Sequence, residues 1–180
     1  MAVISGGAKL EARLKEIARK VKTKANVRVG FLENATYPDG TPVAMVAAIQ
    51  EFGAPSRNIP PRPYFRTMVK EKSDSWADAT SNLLVSNNFD AIKTLNQVGA
   101  GISGQLQESI KKQNQPPLSK VTLMLRKMKS EDSSLVVTGA TVGEAVERVA
   151  KEESVAGVPT KPLIDTGHLW NSVSWEITES

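Results

Sequence analysis

Two short stretches of this 180-residue chain have the spacing of loops that do chemistry elsewhere. Gly99-Ala100-Gly101-Ile102-Ser103-Gly104 satisfies G-x-G-x-x-G, whose glycines let a backbone approach a pyrophosphate at a helix N-terminus. Asp165-Thr166-Gly167, after Pro162, Leu163 and Ile164, matches a hydrolase loop in which two carboxylates share a proton and activate water. His168 stands beside it as the one histidine and so the one imidazole general base on offer.

Context argues against each. Ile92, Leu95, Val98, Ile102, Leu106 and Ile110 step by three or four straight through the glycine motif, so Gly99, Gly101 and Gly104 are expected inside a helix. There they thin it for close packing, at some cost in helix propensity. A single Asp-Thr-Gly copy would need a homodimer and a long β-stretch after it, whereas thirteen residues follow Gly167. Asp165 and Thr166 are therefore expected to form a turn or cap, with Gly167 as a permissive backbone leading into the last strand. His168 is expected to be a surface or capping residue. Cysteine is absent, which removes disulfides, a thiol nucleophile and cysteine zinc sites, and one histidine precludes an imidazole cluster within one chain. With no Walker lysine, zinc signature or serine elbow, the expectation is no catalytic residue, no cofactor and no metal.

The elements that would position these residues follow from periodicity. Leu10, Leu14, Ile17 and Val21 predict a one-sided N-terminal helix whose other faces carry Lys9, Arg13, Lys15, Arg19, Lys20 and Lys22. Asn26–Leu32 alternates, with Val27, Val29 and Phe31 on one face, and Ser172–Thr178 alternates likewise through Val173, Trp175 and Ile177. These two are expected in one sheet, with further short strands. After the turn residues Tyr37–Pro42, an alanine-rich helix is expected, with Ala44, Ala47, Ala48 and Phe52 on one stripe and Met45 and Ile49 on an adjoining one, ending at Gly53 in a left-handed cap. Pro60, Pro61 and Pro63 then make a stiff elbow into a helix running to about Ser86. Asn87 and Asn88 break it, and Asp90–Asn114 forms the next helix, stopped by Pro116 and Pro117. Leu118–Lys129 is basic with interspersed apolar residues, Leu135–Val137 is β-prone, and Val142–Val155 is a small acidic helix. The fold class is α+β: a small mixed or antiparallel sheet including both terminal regions, flanked by helices, the two long central ones joined near Phe89.

Three stretches together resemble the phage neck or tail-completion proteins, also labelled virion-morphogenesis or minor tail proteins. They are the elbow EFG…IPPRPYFR, the QPPLSKVTLMLRK stretch, and the closing KPLIDTGHLWNSVSWEI. The resemblance implies a single domain over 1–180 with an insertion at 128–159, and a non-enzymatic virion protein in a ring, commonly sixfold, at the head–tail junction. Its implied partners are further copies of itself, the head-closure or connector protein, and the tail terminator or tail tube. Residues matching the pattern are Phe52, Gly53, Arg62, Pro63, Phe65, Arg66, Leu163, Asp165, Thr166, Gly167 and Leu169, expected to shape the fold and its ring contacts. Arg57 and Tyr64 join them because arginine and aromatics favour interface anchors. An exposed Arg62 is expected, with Arg62→Ala changing stability by at most about 1 kcal/mol.

Ordinary globular composition, and no stretch of about 18 apolar residues, predict a soluble chain outside any membrane. The first residues show no secretory leader, which fits assembly in the host cytoplasm and residence in the virion. Net charge is +4, yet Lys9–Arg28 alone holds eight basic and two acidic residues, leaving the remainder at −2. That basic helix is expected to be a solvated face, or else to contact DNA in the channel non-specifically. A nucleic-acid-binding protein using it, and less so a hydrolase using Asp165 and His168, are the rival readings.

Overall fold

A computed structural model describes residues 7–22 and 24–179; the first six residues, expected to lack a leader, lie outside them. The architecture is α+β, with one two-stranded antiparallel sheet made from the two terminal regions. Helix α1 spans Gly7–Val21, strand β1 Ala25–Phe31, α2 Val43–Phe52, α3 Tyr64–Lys72 and α4 Trp76–Ser86. Then come α5 at Ala91–Lys112, α6 at Lys120–Glu131, α7 at Gly139–Ala150, α8 at His168–Asn171, and β2 at Val173–Glu179.

Alternation in the two strands fixes their register. Val27 lies opposite Ile177, Val29 opposite Trp175 and Phe31 opposite Val173, while Arg28 pairs with Glu176 on the other face at 3.7 Å. One face is thus apolar throughout, and it lies on α5. The further strands expected from the sequence are absent among the described residues. Only isolated bridges occur, Thr36 to Pro42 and Ala54 to Ile59, and the β-prone Leu135–Val137 finds no partner strand.

Helix α5 is the axis on which the sheet, α3, α4 and α8 pack. Asp90 caps it, its carboxylate accepting from the Lys93 amide at 2.9 Å. Its buried residues are Thr94, Gly99, Ser103, Leu106 and Ile110, so the seam lies one position off the apolar stripe in its first half. The reason is Gly99. A Cβ there would sit 2.5 Å from Trp175 Cδ1 and 2.8 Å from Val27 Cγ2, so the sheet rests directly on the bare backbone. Gly101 and Gly104 meet nothing within 4 Å and serve no such contact. On its other side α5 takes α3 and α4, with Ser109 donating to the Tyr64 carbonyl at 2.7 Å and Trp76 Nε1 to Gln105 at 2.8 Å. α3 and α4 form one nearly continuous run, broken only by a tight 3₁₀ turn at Ser73–Ser75. The main core gathers Val43, Ala47, Tyr64, Met68, Leu106, Ile110, Leu163, Leu169 and Val173.

Helices α6 and α7 pack as a hairpin around a small core of their own: Met124, Met128 and Ala145. Ser119 caps α6 and Thr138 caps α7, where a reciprocal Thr138–Thr141 capping box starts the helix three residues before the expected Val142. The segment 128–159 therefore comprises the end of α6, a loop and α7.

The seam at Gly99 yields a contrast that melting temperatures can check. Gly101→Ala and Gly104→Ala should each raise stability by about 0.5–1 kcal/mol through helix propensity. Gly99→Ala should instead destabilise, because the new methyl displaces Trp175 and Val27. Equal responses at the three positions would refute the seam.

Candidate functional site

The elbow is built by charges buried at the end of α2. Gly53 ends that helix with its amide on the Ile49 carbonyl at 2.8 Å, at φ 78° and ψ 172°. The positive φ agrees with the sequence, but the extended ψ sends the chain sharply away, and a Cβ would lie 2.8 Å from the Ile59 oxygen. Glu51, buried, reaches across to the first turn of α3. Its carboxylate accepts from the Phe65 amide at 2.8 Å, from the Arg66 amide at 3.2 Å and from Arg66 Nε at 2.8 Å. A carboxylate at a helix N-terminus satisfies amides that have no helical partner and meets the positive end of the helix dipole. Tyr64 donates its hydroxyl to the Ala47 carbonyl at 3.1 Å, and burial pushes its phenol pKa far up, so it stays neutral.

Several expectations are corrected here. Arg62 is 4% exposed, not solvent-facing. Its guanidinium donates to Gln50 Oε1 at 3.1 Å and to the Pro116 carbonyl at 3.2 Å. Burial, then the nearby charge of Arg126, lowers its pKa from the ordinary value, although an arginine stays charged. Tyr64, Leu163 and Leu169 are buried in the main core, where they shape the fold. In α2 the buried positions are Val43, Ala47 and Glu51, whereas Ala44, Met45, Ala48 and Phe52 are exposed, Phe52 by 64%. The choice turns on Glu51: once its carboxylate is committed to α3, the helix must present the opposite stripe to solvent. Arg66 then lies over the outward Phe52 ring at 4.9 Å, beside exposed Arg57 on a 3₁₀ turn. Pro63 and Phe65 are half-buried between these layers.

The C-terminal motif is organised by a second arginine, one the sequence did not single out. Arg126 of α6 has a side chain only 10% exposed. Its Nη1 lies 2.6 Å from the Pro159 carbonyl, 3.0 Å from Lys161 and 3.2 Å from Ile164, and Nη2 lies 3.3 Å from Pro162. Nε faces Asp165 Oδ1 at 3.5 Å. The coil before α8 has no regular hydrogen bonding, and this fork supplies the donors its carbonyls need. Thr166 and Gly167 make the expected turn, Gly167 at φ 78°, but a single helical turn, α8, intervenes before β2.

An open cleft of ≈ 720 Å³ runs between this turn, the Tyr37–Thr41 loop and α6. His168 Nε2 donates to the Thr36 carbonyl at 2.9 Å and its ring lies 4.5 Å from that of Tyr37, so it pins the loop. Asp39 accepts from the Thr41 amide, which holds its carboxyl below the usual range. Burial and the charges of Asp165 and Asp39 push the Tyr37 phenol up. Asp165 is committed to Arg126 and His168 to a carbonyl, so neither is arranged as an acid–base pair. Among the described residues no three His, Cys, Asp or Glu side chains are grouped to hold a metal, and no helix is long and apolar enough to cross a membrane. The glycine motif lies mid-helix in α5, far from the helix N-terminus where a phosphate would sit.

Helix α1 differs most from its expectation. None of its residues is buried, and Leu10, Leu14 and Val21 are exposed. It touches the α4–α5 corner through Arg13 and Lys20, which donate to Asn88. Lys15 pairs with Glu11 at 2.6 Å and Lys20 with Glu16 at 2.9 Å, while Lys9, Arg19 and Lys22 are exposed. No protein-family model, curated protein or solved structure matches this chain.

The two buried arginines should dominate stability here. Arg62→Ala is expected to cost about 2–4 kcal/mol by leaving the Pro116 and Gln50 oxygens unpaired. Arg126→Lys should cost about 2 kcal/mol or more, because an ammonium lacks the fork. Asp165→Asn, half-exposed, should cost less than about 1 kcal/mol. Denaturant unfolding of the three variants measures this ranking, and a larger loss for Asp165→Asn than for Arg126→Lys would refute it.

Proposed function

We propose that this chain is a non-enzymatic structural protein of a tailed-phage virion. On this reading it forms a ring, commonly a hexamer, at the neck, completes the tail, and joins the tail terminator or tail tube to the head-closure or connector protein. The observation that carries the reading is that the three stretches bearing the resemblance are tied to one another. Arg62 of the first donates to Pro116 of the second, and Arg126 of the second to Lys161, Pro162 and Ile164 of the third. Motifs far apart in sequence thus act as one structural unit, which is why they would occur as a set.

The exposed face of α2 supports a docking role. Ala44, Met45, Ala48 and Phe52 form an apolar strip beside Arg57 and Arg66, the composition of an interface anchor. Contact with channel DNA belongs to this proposal only as non-specific backbone contact through α1, which has basic residues but no aromatic for base stacking.

Native mass measurement of the purified protein, alone and mixed with tail tubes, tests the reading. The expected outcome is a closed oligomer that binds tubes, and Phe52→Asp should weaken that binding at least tenfold with an unchanged melting temperature. A chain that stays monomeric at every concentration and ignores tubes would overturn it. So would peptide hydrolysis by the parent that Asp165→Ala abolishes.

A further inference from the structure

Among the amphipathic surfaces that the described residues leave exposed, two are opposite in charge. The first is α1, whose Leu10, Leu14 and Val21 are 61%, 57% and 43% exposed. They lie on one stripe with Ile17, because steps of three and four return to the same side of a helix. Its contact to Asn88 uses the flank bearing Arg13 and Lys20 and leaves that stripe open. Between Gly7 and Lys22 there are six basic and two acidic residues, a net +4.

The second surface is the outer side of the α6–α7 hairpin. Val136, Val137, Val142 and Val146 are exposed there, although α7 buries Ala145 against α6. Gly139 and Gly143 lie next to Val142 and Val146 around α7, and a Cβ at either would meet nothing within 4 Å. A mid-helix glycine such as Gly143 costs about 1 kcal/mol relative to alanine, and no contact among the described residues requires it. The two glycines leave a shallow strip into which a bulky leucine row can settle. Between Glu131 and Glu153 there are six acidic and two basic residues, a net −4.

We infer that α1 of one copy packs along the outer face of α7 of the next. The leucine stripe covers Val142 and Val146, and Lys15 and Lys22 meet Glu147 at the edge of that stripe, Glu144 being held by Arg148 at 2.6 Å. Charge selects this pairing over the other exposed apolar strip, on α2, since that strip is flanked by Arg57 and Arg66 and would repel a basic helix. The two faces are different surfaces of one chain, so the contact is head-to-tail and propagates to a closed ring when the rotation per copy closes. One helix pair buries less than the roughly 1,200 Å² of a standard stable interface, so closure, in which every copy uses both faces, is needed for a persistent assembly. This inference rests on the self-assembly reading above and specifies its subunit contact.

Because the chain has no cysteine, introduced thiols report the contact without background. Leu14→Cys combined with Val146→Cys, both exposed positions, should give a ladder of covalent oligomers under mild oxidation. Either single variant should give no species beyond a dimer. Lys15→Glu with Lys22→Glu should raise the concentration needed for half-assembly at least tenfold, and adding Glu147→Lys should lower it again. Oligomers by native mass with no ladder and no response to charge reversal would overturn the inference while leaving the ring reading in place. A bond formed within one chain would also overturn it. A parent that never assembles would remove both.

Discussion

The C-terminal third can close the fold only because Arg126 collects the backbone of the coil that precedes it. From Lys151 to Gly167 the chain forms no helix or strand, yet it must deliver β2 to β1 across α5. Carbonyls drawn from water without partners cost about 1–3 kcal/mol each, and one nearly buried guanidinium answers four of them. Its planar fork faces several acceptors at once, which a lysine cannot do. Burial lowers the Arg126 pKa and the Asp165 carboxylate partly offsets this, although an arginine stays charged. With the coil fixed, Leu163 and Leu169 enter the core and Val173 begins the strand.

The elbow solves a related problem at the other end of the core. A helix end and a helix start meet there, and each carries backbone groups that no helix can satisfy. Glu51 supplies acceptors to the start of α3, Gly53 lets the chain leave without a Cβ, and Arg62 joins the end of α2 to the proline turn at Pro116. Arg62 and Arg126 are close enough to lower the pKa of the former. Two like charges are tolerated because each is surrounded by oxygen acceptors. The same wiring rotates α2 so that its other apolar stripe, with Phe52, points outward. A rigid corner inside and an adhesive strip outside are thus two results of one set of hydrogen bonds.

The chain also leaves apolar surface open on α1, α2 and α7, well apart from its main core. Single exposed leucines or valines are ordinary on a protein surface, but three amphipathic helix faces are unusual for a chain that acts alone. Their flanks differ in sign, basic on α1 and α2 and acidic on α7.

The sequence by itself determined what local periodicity encodes. Alternation in Asn26–Leu32 and Ser172–Thr178 set both strands and the face they bury, and the 92-to-110 stripe placed the glycine motif inside a helix and away from a phosphate. Proline and glycine punctuation located the elbow, Asn87–Asn88 the corner, and the turn at Asp165–Gly167. Only the tertiary structure decided which side of a helix meets the core. In α2 two stripes have equal apolar content, and a buried Glu51, whose partners lie fourteen and fifteen residues away, chose between them. In α1 the leucines stay exposed among the described residues, and only Ile17 of their stripe is half-buried. Arg62 and Arg126 look like surface residues in one dimension, because side-chain type does not reveal which distant carbonyls will need donors. Helical period reports an amphipathic face; what covers that face is a property of three-dimensional packing.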